Sequence, residues 1–391
     1  MNMNMRRRQP PPSCLQSLPD EVILEIFLRV PVRSVIRLKC VCKSWKILIS
    51  SPQFAKDHFR MKSFISSVTS MRLASLAYYN HRKLITTCPV QSLLENPLAR
   101  RETSSFTVEN RWVEILGSSN GLLCLADNFC LFRLINPFTR SASKKSPPLP
   151  LRLNVFKDEV AQYGFGYDQL NDKYKVLVTY GFPRVTKLYT FGTQSSWTTI
   201  QNFPCDQVPQ MWYKAGKFVS GTLNWFVLER NVIISFDLEK ETYGEVLLPL
   251  HLESDHPNQH RGHNPNQQID IDALSNCLCL CYFNDIHYVV WVMKKYGNQQ
   301  SWTKLVLIPH SNLKMHRLMC IDASYRFAYL HPLWISENAI AFKRTTDLQL
   351  VIYKNGKMED DREIMERDTH SDLHIYRMVL HYCGVLLFCH C

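Results

Sequence analysis

Val232-Ile233-Ile234-Ser235-Phe236-Asp237-Leu238 is an apolar run that breaks into the polar turn Glu239-Lys240-Glu241-Thr242 and returns as Val246-Leu247-Leu248-Pro249. β-Branched and aromatic residues on either side of a charged turn favour a hairpin. The closing proline has no N–H to donate and ends the pairing. The same unit recurs. Leu131-Phe132-Arg133-Leu134-Ile135-Asn136-Pro137-Phe138-Thr139-Arg140 runs on to Leu149-Pro150, and Lys187-Leu188-Tyr189-Thr190-Phe191 returns through Ser196-Trp197-Thr198-Thr199-Ile200 to Pro204. Tyr288-Val289-Val290-Trp291-Val292-Met293 turns near Gly297 and returns through Ser301-Trp302-Thr303-Lys304-Leu305 to Pro309, and Leu348–Tyr353 with Asn355-Gly356 makes a fifth hairpin.

Pro150, Pro204, Pro249 and Pro309 stand roughly 45–60 residues apart, close to the ~40–50 of propeller blades, and each interval has room for four short strands. Asn120-Gly121-Leu122-Leu123-Cys124-Leu125, Gly221-Thr222-Leu223-Asn224-Trp225-Phe226 and Leu278-Cys279-Leu280-Cys281 precede hairpins and read as inner strands. About six blades fit the stretch, with residues 63–87 or the C-terminal strand completing the ring. The expectation is a large all-β, propeller-like domain over residues 62–391.

The front of the chain has another period. Residues 1–16 read as a flexible tail. Residues 17–60 read as a small all-α unit of three helices. In Ser17-Leu18-Pro19-Asp20-Glu21-Val22-Ile23-Leu24-Glu25-Ile26-Phe27-Leu28-Arg29-Val30-Pro31 a proline suits the first turn, two acids complement the helix dipole, and Val22, Ile23, Ile26, Phe27 and Val30 recur at three and four. Val32, Val35, Leu38 and Cys42 form a second stripe, and Trp45, Leu48 and Ile49 a third, with Phe54 and Phe59 on a last short helix. A unit of ~40 residues is near the lower limit for independent stability, so some of its apolar surface needs cover from a partner or from the rest of the chain.

The chain has 391 residues, 46% of them apolar and 20% charged, which excludes wholesale disorder. Its net charge of +12 is not gathered into a long basic run, and no nucleic-acid partner is expected. Met1–Gln9 carries Arg6-Arg7-Arg8, but Pro10-Pro11-Pro12 follows in place of the apolar core of a signal peptide. No run of ~18 apolar residues is present to cross a membrane. The 14 cysteines then read as small core hydrophobes of a reducing compartment, the nucleus or cytoplasm.

Leu18-Pro19-Asp20-Glu21-Val22-Ile23, Arg29-Val30-Pro31-Val32-Arg33-Ser34, Arg37-Leu38-Lys39-Cys40-Val41-Cys42-Lys43-Ser44-Trp45, Leu48-Ile49 and Ser51-Pro52-Gln53-Phe54 resemble the F-box of plant F-box proteins, and their spacing fits it without a gap. The rest resembles the F-box-associated domain of the same proteins, also called F-box/kelch-repeat proteins. Gly117-Ser118-Ser119-Asn120-Gly121-Leu122-Leu123, Asn136-Pro137-Phe138-Thr139-Arg140, Gly164-Phe165-Gly166-Tyr167-Asp168, Tyr174-Lys175-Val176 and Ser301-Trp302-Thr303-Lys304 carry that likeness, although the paired glycines of a true kelch repeat are missing.

The resemblance implies a non-catalytic substrate-recognition subunit of an SCF-type ubiquitin ligase. Its F-box would hold a Skp-family adaptor, and through it a cullin, while the β domain holds the protein to be ubiquitinated. Carried over, the adaptor-binding positions are Leu18, Pro19, Val22, Ile23, Ile26, Val30, Pro31, Val32, Val35, Leu38, Val41, Cys42, Trp45 and Leu48. Some of these must instead form the internal core of the helices. No substrate-binding residue set is implied.

Other clusters read as structural. His251, His256, His260 and His263 with Asp255 lie between prolines that prevent a helix from aligning ligands. Cys277, Cys279 and Cys281 alternate along one strand face, which suits core packing. Cys383, Cys389, His390 and Cys391 read as strand plus tail, and no metal or cofactor is expected. Gly164-Phe165-Gly166 lacks the third glycine of a nucleotide loop. A propeller hydrolase or sugar binder is the rival reading, and it would need converging carboxylates, with Asp168, Asp237, Asp270 and Asp272 the available acids, or a ring of aromatics at one funnel mouth. An F-box protein acting outside a ligase is the third.

Overall fold

The computed structural model describes residues 18–30, 32–51, 53–54, 57–58, 61, 71–79, 82–89, 104–108, 113–127, 131–150, 160–180, 184–192, 196–204, 214–227, 230–250, 252, 269–284, 287–309, 330–335, 339–344, 350–354, 357–360 and 385–389. The chain divides into two compact units, Met1–Ser70 with Cys391, and Met71–His390.

The first unit carries α1 (Asp20–Arg29), α2 (Val32–Leu38) and α3 (Lys43–Ser50). Pro19 caps α1 rather than opening its first turn; its carbonyl accepts from the N–H of Val22 at 3.0 Å and of Ile23 at 3.2 Å. Asp20 and Glu21 occupy the positive end of the helix and Arg29 the negative end, where Arg29 also pairs with Glu25 at 2.5 Å. Phe27, Val35, Ile49 and Phe54 are the buried centre of the unit, and the Phe27 and Trp45 rings meet edge to face at 4.8 Å. Burying side chains of this size contributes roughly 1.5–3 kcal/mol each, which makes a small core for three short helices.

The second unit is all β. β1 (Met71–Tyr79), β2 (Arg82–Pro89) and β3 (Ser104–Val108) form an antiparallel run, and the last strand of the chain, β23 (Val385–Cys389), adds to the other edge of β1. β4 (Val113–Ser119), β5 (Leu122–Asp127) and β6 (Leu131–Ile135) form a three-stranded sheet, extended by one bridge from Ile135 to Ala142. β7 (Val160–Asp168), β8 (Lys173–Tyr180), β9 (Val185–Thr190) and β10 (Trp197–Ile200) make one antiparallel run; β11 (Lys214–Val219), β12 (Thr222–Val227), β13 (Val232–Asp237) and β14 (Thr242–Val246) make the next. These two runs fuse into one eight-stranded sheet because β7 and β11 pair in parallel, Gly164 opposite Gly216. β15 (Asp270–Leu274), β16 (Cys277–Phe283), β17 (His287–Met293) and β18 (Trp302–Pro309) follow. β19 (Leu330–Ile335), β20 (Ala339–Arg344), β21 (Leu350–Lys354) and β22 (Lys357–Asp360) form the last such sheet. The leading strands touch in succession: β23 with β4, β4 with β7, β7 with β11, β11 with β15, β15 with β19, and β19 with β23.

The hairpins expected at Lys187–Ile200, Val232–Val246, Tyr288–Leu305 and Leu348–Gly356 form as β9–β10, β13–β14, β17–β18 and β21–β22. Two expectations are corrected. The return strand after Leu131–Ile135 shrinks to the single Ala142 bridge, because Asn136 closes a turn and its side-chain carbonyl accepts from the N–H groups of Phe138 and Thr139. The stretches read as inner strands, at Leu122, Thr222 and Leu278, are the second strands of their sheets. A further strand lies inside each: β4, β11 and β15. The joins are two-residue turns, Asn120-Gly121, Ser220-Gly221 and Ser275-Asn276, with positive φ at both residues, as a tight antiparallel hairpin requires.

Glycine lets the runs around β7 and β11 approach. A Cβ at Gly164 would stand 2.7 Å from Leu223, one at Gly166 2.4 Å from Phe218, and one at Gly216 2.5 Å from the Trp225 indole. Gly164-Phe165-Gly166 is therefore a close-packing device inside a strand. Trp225 and Trp291 are core residues, as is Cys279.

Candidate docking interface

On α1 the apolar residues divide between two sides. Phe27 is buried, with Ile23, Leu24, Leu28 and Val30 packed against the same core. Val22 and Ile26, one turn apart, face outward at 39% and 47% exposure, and Leu18 just ahead of the helix is 43% exposed. The single stripe read from spacing is therefore two, one inward and one outward. A surface helix needs only the inward one for folding, so the outward one has no internal role.

The other named positions fall into place around that division. Val35 is 2% exposed and faces inward. Leu38, Trp45 and Leu48 are half-buried against it. Pro19 and Cys42 are exposed, and Val41 is 60% exposed in the turn between α2 and α3. Cys42 is the extended residue before α3, with its thiol 3.1 Å from the Ser44 hydroxyl, and that contact holds the thiol below its usual range. Pro31 and the Val32 side chain lie outside the described residues. Two exposed apolar residues escaped the sequence reading, Ile36 and, at 73%, Ile47. Ile36 sits one position from buried Val35 and Ile47 one from half-buried Leu48, so a stripe drawn at three and four passes them by.

The acids of the hydrolase reading have separate duties. Asp168 is buried at the end of β7 with Lys175 at 2.9 Å, and its carboxylate accepts from Asn171. Asp237 accepts from the N–H groups of Glu239 and Lys240 in the β13–β14 turn. Asp270 and Asp272 share a side of β15, and Asp272 pairs with Lys217 of β11 at 3.0 Å. Cys279 and Cys281 stand opposite Asp272 and Asp270 in register, and burial pushes both thiols up. Among the described residues no group of three or more His, Cys, Asp or Glu could hold a metal ion, and no helix is long and apolar enough to cross a membrane. His251, Asp255, His256, His260, His263, Cys383, His390 and Cys391 lie outside the described residues.

Residues 65–383 match the F-box associated beta propeller domain, and residues 15–57 match the F-box domain. The chain belongs to the plant F-box proteins that carry this β-propeller domain. Its F-box is the N-terminal helical unit and the associated domain follows. Among similar proteins are three from Arabidopsis thaliana. The F-box/kelch-repeat protein At3g23880 is 29% identical over 352 residues, 87% of this chain and 89% of the relative. F-box protein At3g07870 is 30% identical over 322 residues, covering 74% and 72%. F-box protein CPR1 is 24% identical over 354 residues, covering 83% and 78%. The likeness thus runs through both units of the F-box protein, not the helices alone.

Proposed function

We propose that this F-box protein is the substrate-recognition subunit of an SCF-type cullin-RING ubiquitin ligase, with its F-box on a Skp-family adaptor and its β domain on the protein to be ubiquitinated. The observation that carries this reading is the outward apolar face of α1, Leu18, Val22 and Ile26, on a helical unit whose core is already filled by Phe27, Val35, Ile49 and Phe54. Exposed apolar residues grouped on a small module mark a protein-binding surface. Leu18, Pro19, Val22, Ile26, Val41 and Cys42 are the contact residues of the proposal. Ile23, Val30, Val35, Leu38, Trp45 and Leu48 support them from the core side.

The chain itself supplies no nucleophile in this role. It holds the target near a charged conjugating enzyme, and proximity raises the effective concentration of the target's lysines. Six blades are proposed for the β domain, supported by the closed succession of six leading strands. The target rests on loops of that ring, and the ligase works in the nucleus or cytoplasm.

Co-purification of the full chain with a Skp-family adaptor tests the reading. Leu18→Ala with Val22→Ala and Ile26→Ala removes exposed side chains only, so the helical circular dichroism stays and the association is lost. Undiminished association in that variant refutes the docking assignment.

A further inference from the structure

The core between the β7–β10 run and the β11–β14 run is apolar, with Leu177, Leu188, Phe203, Leu223 and Trp225 among its members. One polar row crosses it. Gln162 on β7 stands opposite Thr179 on β8, and Thr179 opposite Thr186 on β9. Residues opposite one another on paired strands share a face, and Leu177, two residues before Thr179, places that face in this core. Gln162 is 4% exposed, and Thr179 and Thr186 are 0% exposed. The two threonine hydroxyls bond at 3.0 Å, and Thr186 also accepts from the Phe203 N–H at 3.2 Å. Gln162 Oε1 is shut off from solvent with no hydrogen-bond partner among the described residues, and so is Trp225 Nε1. The first is an acceptor and the second a donor. The Trp225 indole lies over two glycines: a Cβ at Gly216 would stand 3.0 Å from its Nε1, and one at Gly164 3.1 Å from its Cζ2. Gly216 pairs with Gly164, and Gly164 is two residues from Gln162 on the same face of β7, roughly 7 Å along the strand. Donor and acceptor therefore rise from neighbouring places on one sheet face without bonding each other. A third such group, the Tyr243 hydroxyl, lies two strands further out on β14, where it faces Thr186 at the outer end of the row.

We infer that Gln162, Thr179 and Trp225 form a binding site for one buried water at the β7–β11 junction. The water accepts from the Trp225 indole N–H and donates to Gln162 Oε1. Its remaining hydrogen or lone pair meets the Thr179 hydroxyl, which keeps a spare donor or acceptor position whichever threonine donates to the other. Three polar partners are what an internal water ordinarily has, and groups more than about 3.5 Å apart are the ones such a water joins. A cation at this place would meet the indole hydrogen, and an anion the lone pairs of Gln162. A small neutral molecule that both donates and accepts satisfies the two groups where an ion satisfies one. Left unmade, both bonds would cost the full desolvation of a buried polar group. The water thereby joins β7, β8 and β12 at the place where two runs fuse into one sheet. The inference stands on the β domain alone and is independent of the ligase reading.

The full chain tests it in two ways. In the wild-type protein labelled with nitrogen-15 at tryptophan, the Trp225 indole signal, assigned by its loss in Trp225→Phe, is expected to cross-relax with a long-lived water. A crystal structure is expected to place that water about 2.9 Å from Nε1 and about 2.8 Å from Gln162 Oε1. The second way is urea unfolding of Gln162→Met, which keeps the length of the side chain and removes its acceptor. With a water bound, the variant breaks a made bond and the midpoint falls. Thr179→Val lowers it too, and the double variant falls by clearly less than the two single losses together, because both changes act on one water. In a dry site Gln162→Met would remove an unpaired buried acceptor, and the midpoint would rise. A raised midpoint, strictly additive losses, density with no water at Nε1, or a direct bond between Trp225 and Gln162 each overturns the inference. Should Gln162→Met not fold, the wild-type spectrum and crystal structure decide, since both read the water directly.

Discussion

Lys175 Nζ lies 2.9 Å from the Asp168 carboxylate and 2.8 Å from that of Glu241, and it donates to the Leu238 carbonyl at 2.6 Å. One ammonium on β8 thereby ties the end of β7 to the β13–β14 turn, across the two halves of the eight-stranded sheet. Both Lys175 and Asp168 are buried, so each charge depends on the other for what water no longer supplies. Removing one partner strands the second. Lys175→Met is expected to destabilise the β domain by about 3–5 kcal/mol, while Lys175→Met with Asp168→Asn costs less than the single change. Urea unfolding of both single variants and of the double measures this; a double loss equal to the sum of the two single losses would mean that the bond carries no coupling.

The same pair sets a pH dependence. Burial works to raise the Asp168 carboxyl, but the bonds from Lys175 and Asn171 outweigh it and hold it below the usual carboxylate range. Burial works to lower the Lys175 ammonium, but Glu241 and Asp168 outweigh it and hold it above the usual lysine range. A depressed acid adds stability above its unfolded pKa and loses it as pH falls through the folded one. A raised base adds stability below its unfolded pKa and loses it as pH rises through the folded one. Stability from the pair is expected to be flat across neutral pH, to fall below about pH 4, and to fall again above about pH 10. Melting temperature against pH checks it; in Lys175→Met the alkaline part of the fall should shrink.

Gly164 and Gly216 face each other across the parallel β7–β11 pair, and Trp225 lies against both. A methyl at Gly216 would stand 2.5 Å from the indole ring, which is 2% exposed and has nowhere to withdraw. Gly216→Ala is expected to cost about 1–3 kcal/mol by overpacking. Gly244→Ala on the outer strand β14 meets only the Ser235 hydroxyl at 3.2 Å and should cost less. Unfolding midpoints of the two variants give the comparison.

The outer hairpins were legible because each carries apolar alternation, a polar turn and a closing proline, a complete local signature. The leading strands were not. β11 is Lys-Ala-Gly-Lys-Phe-Val and β15 is Asp-Ile-Asp-Ala-Leu, and neither alternates cleanly, because a strand wedged between neighbouring sheets needs glycine for close approach and keeps charges that pair across the gap, as Lys217 does with Asp272. Their only local trace is the turn that follows. Asn120-Gly121 is a strong hairpin signal and calls for a strand on each side of it. In the helices, spacing located the apolar residues but not their side. Val22 and Ile23 are adjacent in sequence, yet Ile23 packs on Phe27 and Val22 faces out. Only the fixed positions of α2 and α3 decide which of two overlapping stripes is covered.

β23 pairs with β1 from Met71 opposite Cys389 to Ser75 opposite Val385, so the last strand of the β domain completes the sheet begun by the first three. Contacts of β23 with β4 and with β19 make it a member of both neighbouring junctions. No local hairpin can replace it, because strand pairing here joins residues from opposite ends of the domain. Ending the chain at residue 384 would leave the N–H and C=O groups along one edge of β1 unpaired beside the apolar Leu73, Ala74 and Leu76, an edge prone to pair with another chain. The truncated protein is expected to aggregate or to melt well below the full chain, with faster amide exchange concentrated in β1, β4 and β19. Its F-box should still bind the adaptor, since the helical unit has its own core. Hydrogen exchange together with light scattering tests this; a truncated chain that stays monomeric with β1 fully protected would show that the ring closes without its final strand.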